Sequence, residues 1–190
     1  MLLMKVIGTV GHNGSGKDTV LKIVSNKISC PLISMGDIFR DIAKKEGLQP
    51  TRKNLTNIAK RYISKYGTSY FPNQVINRIK QINPKNVCVA GIRRVDDAKV
   101  LKKEYENNFI LIHVKTDARI RFQRLVKRGE KRDPINYEDF LLQELSEEKT
   151  FNISKTITLA DYVICNDKGL DELEINILKF LKGINIRPIQ

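Results

Sequence analysis

Residues 11–19 read Gly11-His12-Asn13-Gly14-Ser15-Gly16-Lys17-Asp18-Thr19. Gly11 and Gly16-Lys17 stand at the G-x4-G-K spacing of a phosphate-binding loop. The glycines at 11, 14 and 16 accept backbone angles that turn successive N–H groups, those of Asn13 and Ser15 among them, toward one anion. A helix starting at the loop's end adds its unpaired N-terminal donors and its dipole, and Lys17 reaches the outer phosphates. The position after the lysine, where Ser or Thr usually coordinates Mg²⁺, holds Asp18, with Thr19 next. Asp18 either holds a magnesium-bound water or simply caps the helix.

Arginine, the side chain suited to bidentate phosphate contact, is clustered: seven of the twelve fall between Arg93 and Arg132. Arg93 and Arg94 follow a strand-like run, at the carboxyl end where open α/β sheets bind ligands. That placement points to an acceptor phosphate. Arg121, Arg124 and Arg128 share one predicted helix, with Arg124 and Arg128 on a common face. Arg132 follows in the polar stretch Gly129-Glu130-Lys131-Arg132-Asp133-Pro134. His12 fills a variable loop position and His113 lies in a strand, so neither receives a role.

These residues need a frame. Runs rich in Val and Ile over 5–10, 86–90, 109–114 and 161–165, with a shorter one over 31–34, are near-continuous rather than alternating. That pattern predicts strands covered on both faces of a parallel sheet. Helical spacing over 19–28, 95–105, 118–126 and 170–181 alternates with them, predicting a layered α/β fold with right-handed crossovers. Two stretches exceed simple crossovers. Residues 36–83 hold predicted helices over 37–45, 55–65 and 74–82, and residues 129–160 hold a polar segment and further helices. The expectation is a single domain over 1–190 with two helical insertions.

The chain has 190 residues, 34 Lys and Arg against 21 Asp and Glu, and a formal net charge of +13. Such a balance favours polyanionic partners, although lysine-rich composition alone also loads solvated helix faces. Tyr62, Tyr66, Tyr70 and Phe71 lie near Arg61 and Lys65, so a nucleic-acid partner stays open without being favoured. No apolar run approaches the ~18 residues of a membrane span. Cys30, Cys88 and Cys165 are odd in number and widely spaced, without a metal-ligand pattern, which leads to the expectation of a reducing cytoplasm.

The chain resembles the P-loop nucleoside monophosphate kinases, nearest to the small adenylate-kinase-related and dephospho-CoA-kinase-like nucleotide kinases. Besides the loop, the resemblance rests on Ile33-Ser34-Met35-Gly36-Asp37-Ile38-Phe39-Arg40, Ala90-Gly91-Ile92-Arg93-Arg94, the helix from Arg119 to Arg128, and Ala160-Asp161-Tyr162-Val163-Ile164-Cys165-Asn166-Asp167. It implies a P-loop NTPase fold: three α/β/α layers, a five-stranded parallel sheet, an acceptor-binding insertion (36–83) and a lid (129–160). It implies ATP and Mg²⁺, nucleotide substrates, and a monomer or homodimer. By the same resemblance Gly11, Asn13, Gly14, Ser15, Gly16, Lys17, Asp18, Thr19 and Asn166 bind ATP, with Asp18 and Thr19 nearest the metal. Gly36, Asp37, Arg40, Gly91, Arg93 and Arg94 bind the acceptor, and Lys17, Arg124, Arg128 and Arg132 meet the charge that develops in transfer.

The chain also departs from that pattern. Ala90 stands where the group carries an acid at the end of the third strand, and Asp18, Asp96 or Asp97 are the available substitutes. Leu142-Gln143-Glu144 stands where the group carries an Arg-Asp pair, leaving Arg132 as a stand-in. The Pro-Leu-Leu segment of dephospho-CoA kinases is absent. A phosphate acceptor is already ionised, whereas an alcohol needs a base at the position Ala90 occupies, so the expected acceptor is a monophosphate. The alternatives are a dephospho-CoA-kinase-like enzyme and a nucleotide-binding switch or weak ATPase.

Overall fold

The computed structural model describes residues 4–188. Five strands form one all-parallel sheet: β1 (Lys5–Val10), β2 (Leu32–Ser34), β3 (Asn86–Ala90), β4 (Phe109–Lys115) and β5 (Tyr162–Cys165), in the order β2-β3-β1-β4-β5. The central β1 pairs with β3 on one side and β4 on the other, with Gly8 opposite Val89 and Leu111. Parallel neighbours require crossovers, and these are built from α1 (Lys17–Lys27), α2 (Met35–Lys45), α3 (Arg52–Tyr66), α4 (Tyr70–Ile82), α5 (Val95–Tyr105), α6 (Ala118–Arg128), α7 (Tyr137–Phe151) and α8 (Ile153–Ile157), while α9 (Leu170–Gly183) follows the last strand.

Side-chain alternation along each strand feeds two cores, one on each face of the sheet. Val6, Val10, Phe109 and Leu111 join Ile38, Ile58, Val75, Ile79 and Leu101 on the face that α2–α5 cover. Ile7, Ile110, Ile112 and Val114 join Val20, Val24, Leu173, Ile177 and Leu181 of α1 and α9 on the other. Each fully buried aliphatic contributes about 1.5–3 kcal/mol, so the sheet is rigid where its carboxyl ends emerge. β1 ends in the glycine-rich loop, β2 runs directly into α2, β3 into Gly91–Arg94, β4 into Thr116 and β5 into Asn166. The residues expected to do chemistry therefore share one edge of the molecule. Among the described residues no helix is long and apolar enough to cross a membrane.

The insertion helices start earlier than their apolar spacing predicts. Ser34 caps α2, its hydroxyl accepting from the Gly36 N–H at 3.1 Å, so the helix begins at Met35. α4 begins at Tyr70 because Pro72 sits in its first turn, where the missing N–H costs nothing.

Candidate active site

The loop from Gly11 to Gly16 is an open cradle. Gly14 and Gly16 lie in the left-handed region, with φ of 77° and 87°. A Cβ on Gly16 would come within 2.4 Å of Asn166 Nδ2. No side chain caps α1, which leaves its first-turn donors available to an anion.

The loop's carbonyls are held from outside. Lys17 Nζ donates to the His12 carbonyl at 2.7 Å. Arg121 Nη1 donates to Asn13 O at 3.3 Å. Ser15 O accepts from Asn166 Nδ2 at 2.8 Å and from Thr116 Oγ1 at 3.1 Å. Two buried polar atoms have no partner here, Ser15 Oγ in the loop and Arg124 Nη1 beside it. An unpaired buried donor is costly, and a nucleotide is a ligand that would satisfy both, phosphate at Ser15 Oγ and base or ribose at Arg124 Nη1. The residues present therefore fit a nucleotide triphosphate.

Arg121, expected on the same helix as Arg124 and Arg128, is 5% exposed. Its guanidinium pairs with Glu144 Oε2 at 2.6 Å, donates through Nε to Thr116 O at 3.2 Å, and lies 5.3 Å from the Phe140 ring centroid. Its sequence signal was its spacing: Arg121 and Leu125 form the buried stripe of α6. Glu144, in the segment lacking the expected arginine, is the partner. It also stands 3.6 Å from His12 Nδ1. Both histidines prove local to the site. A cavity of about 340 Å³ beside the loop is lined by His12, Ser15, His113, Thr116, Arg121 and Ser154, among others. Burial is the main cause holding both imidazoles below their ordinary range, Glu144 opposing it at His12.

The other expected residues fall into three groups. Gly36, Asp37 and Arg40 occupy the first turns of α2, with Arg40 paired to Asp37. They adjoin Gly91, where a Cβ would lie 3.3 Å from Met35 Cβ and 3.8 Å from the Gly36 nitrogen. Arg93 and Arg94 follow at once, their guanidinium groups 5.4 and 5.2 Å from the Phe151 ring centroid. Asp97 accepts from the N–H groups of both arginines at 3.1 and 2.9 Å. Burial raises its pKa against the pull of those bonds. Of the acids available to replace the one missing at Ala90, Asp97 is thus occupied in fixing the β3–α5 turn. Glu147 of α7 approaches instead, Oε1 lying 3.2 Å from Arg93 Nη1.

Arg124 and Asn166 form a second group, Nη2 lying 3.5 Å from Asn166 Oδ1 and 3.4 Å from Lys168 O. Arg128 and Arg132 form a third around the polar turn, Arg128 Nε bonding Asp133 at 2.9 Å and Arg132 Nε bonding Glu130 at 2.7 Å. Asp18, next to Lys17, is among the charges that act on Arg128. Asp18 and Thr19 are exposed at the start of α1. Among the described residues no group of three or more His, Cys, Asp or Glu could hold a metal ion. A magnesium ion that arrives with phosphates needs only one or two protein oxygens, and these two residues fit that role.

The family model described as an AAA domain matches residues 10–140. A UPF0200 protein of Hyperthermus butylicus is 31% identical over 179 residues, 94% of each chain. The chain belongs to the UPF0200 family and carries that AAA domain. Its fold is similar to that of shikimate kinase from Bacteroides thetaiotaomicron, with a TM-score of 0.60 and 15% identity over 96% of this chain and 99% of that one. It is also similar to a gluconokinase from Sinorhizobium meliloti, with a TM-score of 0.59 and 13% identity over 97% and 95%. The expected P-loop kinase architecture is therefore the one present in this UPF0200 chain.

Two outcomes follow from the cluster around the loop. Arg121→Met should leave Glu144, 18% exposed, without its guanidinium partner, costing up to about 3 kcal/mol, while Arg121→Met with Glu144→Leu recovers much of it; urea unfolding of the four combinations measures this. Burial, then the charge of Arg93, holds Lys17 down to about 8. A bound polyanion raises it again, so binding takes up a proton above that pH. ATP affinity measured calorimetrically should be flat below pH ~8 and fall up to about tenfold per unit above it, with Lys17→Arg abolishing the fall.

Proposed function

We propose that this chain transfers the γ-phosphoryl group of ATP to a nucleoside monophosphate or a related small phosphorylated acceptor. The observation that carries this reading is that Lys17 and Arg93 follow β1 and β3, neighbouring parallel strands whose carboxyl ends emerge side by side. One belongs to the loop and the other to the end of β3, so a donor phosphate and an acceptor phosphate held by them would meet. Phosphoryl transfer asks for that placement and for charge neutralisation rather than covalent help.

In this reading the loop amides, Lys17 and Thr19 hold the β- and γ-phosphates, and Asn166 with Arg124 lies toward the base. Gly36, Asp37, Arg40, Gly91, Arg93 and Arg94 receive the acceptor. An acceptor phosphate oxygen attacks the γ-phosphorus in line; the bond to the β–γ bridging oxygen breaks, and ADP leaves with the electron pair. Magnesium bound with the triphosphate would neutralise its oxygens, with Asp18 able to hold a water of the ion. Residues 36–83 close over the acceptor and residues 129–160 act as a lid, excluding water. Arg128 and Arg132 reach the transferring group by exchanging Asp133 and Glu130 for phosphate. The reading carries a cytoplasmic location.

Glu147 favours a second reading. A carboxylate at Arg93, close enough to act on Lys17, supplies the base an alcohol acceptor would need, as in a dephospho-CoA-kinase-like enzyme. The test is a transfer assay with ATP and Mg²⁺ against nucleoside monophosphates and dephospho-CoA, with diphosphate product and free phosphate measured separately. Transfer to one monophosphate is expected. Lys17→Ala should abolish it, and Arg93→Ala should raise the acceptor KM about 10–100-fold, the worth of a charged hydrogen bond. Glu147→Gln should leave that transfer intact; a loss of about 10²–10⁴ with dephospho-CoA as acceptor supports the second reading. Free phosphate without transferred product contradicts both and leaves an ATPase switch.

A further inference from the structure

The surplus positive charge is concentrated away from the phosphate loop. Residues 44–85 hold ten Lys and Arg against a single acid, Glu46, giving +9 of the chain's +13. Within them α3 carries Arg52, Lys53, Lys60, Arg61 and Lys65 and no acidic residue. α7, also 15 residues long, carries five acids and one lysine. A lysine-rich composition alone would load the two helices alike. Arg61 pairs with Glu46. Among the described residues no carboxylate lies within 4.0 Å of the charged ends of Arg52, Lys53, Lys60 or Lys65.

The shape of this face narrows its partner. Lys53, Thr56, Asn57, Lys60, Arg61 and Ser64 are all exposed on α3, a surface of cations and short hydrogen-bonding groups. Asn54 and Asn57 line an open groove of about 540 Å³ with Leu48, Ile58, Lys60 and Arg61. At the end of α3 the Tyr66 ring is 49% exposed and stacks on Tyr70, centroids 5.0 Å apart. The Lys65 ammonium lies 5.1 Å from the Tyr66 ring centroid, an exposed and flexible group that an incoming ring can displace.

The groove is separate from the site described above. Tyr62 donates to Glu46 Oε1 at 3.2 Å, and Glu46 follows the last residue of α2, whose first turn bears Gly36 and Asp37. The eleven residues of α2, at ~1.5 Å each, put roughly 15 Å between them.

We propose that α3 binds single-stranded nucleic acid, with backbone phosphates on Lys53 and Lys60 of this face and the strand turning around the end of the helix to Lys65 and a base stacked on Tyr66. Free cations supply the sequence-independent attraction. An exposed aromatic ring beside them is the feature that selects unpaired bases. The amides of Asn54 and Asn57 offer donors and acceptors to base edges. An anionic lipid surface would also satisfy the cations, but it makes no use of the Asn54 and Asn57 amides that line the groove.

The test is fluorescence anisotropy of the full chain with a fluorescein-labelled single-stranded RNA of mixed sequence, across a salt series. Binding should weaken steeply with salt. The triple variant Lys53→Glu, Lys60→Glu, Lys65→Glu should lose at least tenfold in affinity and flatten the log–log salt slope by about two, at ~0.7 for each phosphate contact on a single strand. Tyr66→Ala should weaken binding about tenfold, as for one stacked base. Lys17→Ala should bind RNA as the parent does, and the triple variant should still bind ATP, which shows that it folds. The proposal is overturned by no binding at low salt, by an unchanged triple variant, or by loss of RNA binding in Lys17→Ala. Equal affinity for double-stranded RNA with Tyr66→Ala silent also overturns it, as does lysine-dependent capture by phosphatidylserine vesicles without RNA binding.

Discussion

A phosphate cradle made of backbone must solve a problem of direction. If successive N–H groups face one anion, the carbonyls of the same residues turn away from it, and a buried carbonyl needs a donor. Here three loop carbonyls are met from four places: His12 by Lys17 of α1, Asn13 by Arg121 of α6, and Ser15 by Asn166 after β5 and Thr116 after β4. The parallel sheet brings these donors together because all its strands release their chains at one edge. The loop is thus fixed by hydrogen bonds to its carbonyls, one of them from its own Ser15 N–H to His12 O at 3.3 Å. A cradle formed before binding spares the ligand the cost of ordering it.

The same arrangement explains where the acids are. Lys17, Arg93, Arg121 and Arg124 would repel one another without counter-charge, and Ala90 supplies none from the sheet. α7 supplies it, with Glu144 on Arg121 and Glu147 on Arg93. The pairs differ in consequence. Glu144 closes a nearly buried pair that holds the loop, whereas Arg93 is more exposed and can trade its carboxylate for a phosphate. The far end of α2 follows another logic: Glu46 pairs with Arg61, while among the described residues Arg52, Lys53, Lys60 and Lys65 of α3 meet no acid and turn their charge to solvent.

The strands were legible because burial on both faces leaves near-continuous Val and Ile runs, and β1 and β3 have the limits those runs predict. The helix starts were less so. Ser34 capping α2 and Pro72 inside the first turn of α4 are local features that apolar spacing does not register. In the site, the loop, Arg93 and Asn166 were visible as motif or strand-end residues. Arg121 shows itself only by its spacing with Leu125; its partner Glu144 lies 23 positions away in sequence, and one chain carries no mark of that pairing. The two histidines were passed over for the same reason: residue type gives no sign of a cavity that β4, α8 and the loop form together.

The account turns on a loop held open by side chains behind it, and the direct measurement is calorimetric binding of inorganic tripolyphosphate to the parent chain and to Asn166→Leu. Tripolyphosphate has no base or sugar, so any change reports the cradle rather than a contact with adenine. Loss of the bond to Ser15 O should weaken binding by about tenfold, roughly 1–1.5 kcal/mol, in a variant whose thermal unfolding remains cooperative. Equal affinity in the two chains would contradict the claim that the carbonyl clamps organise the site.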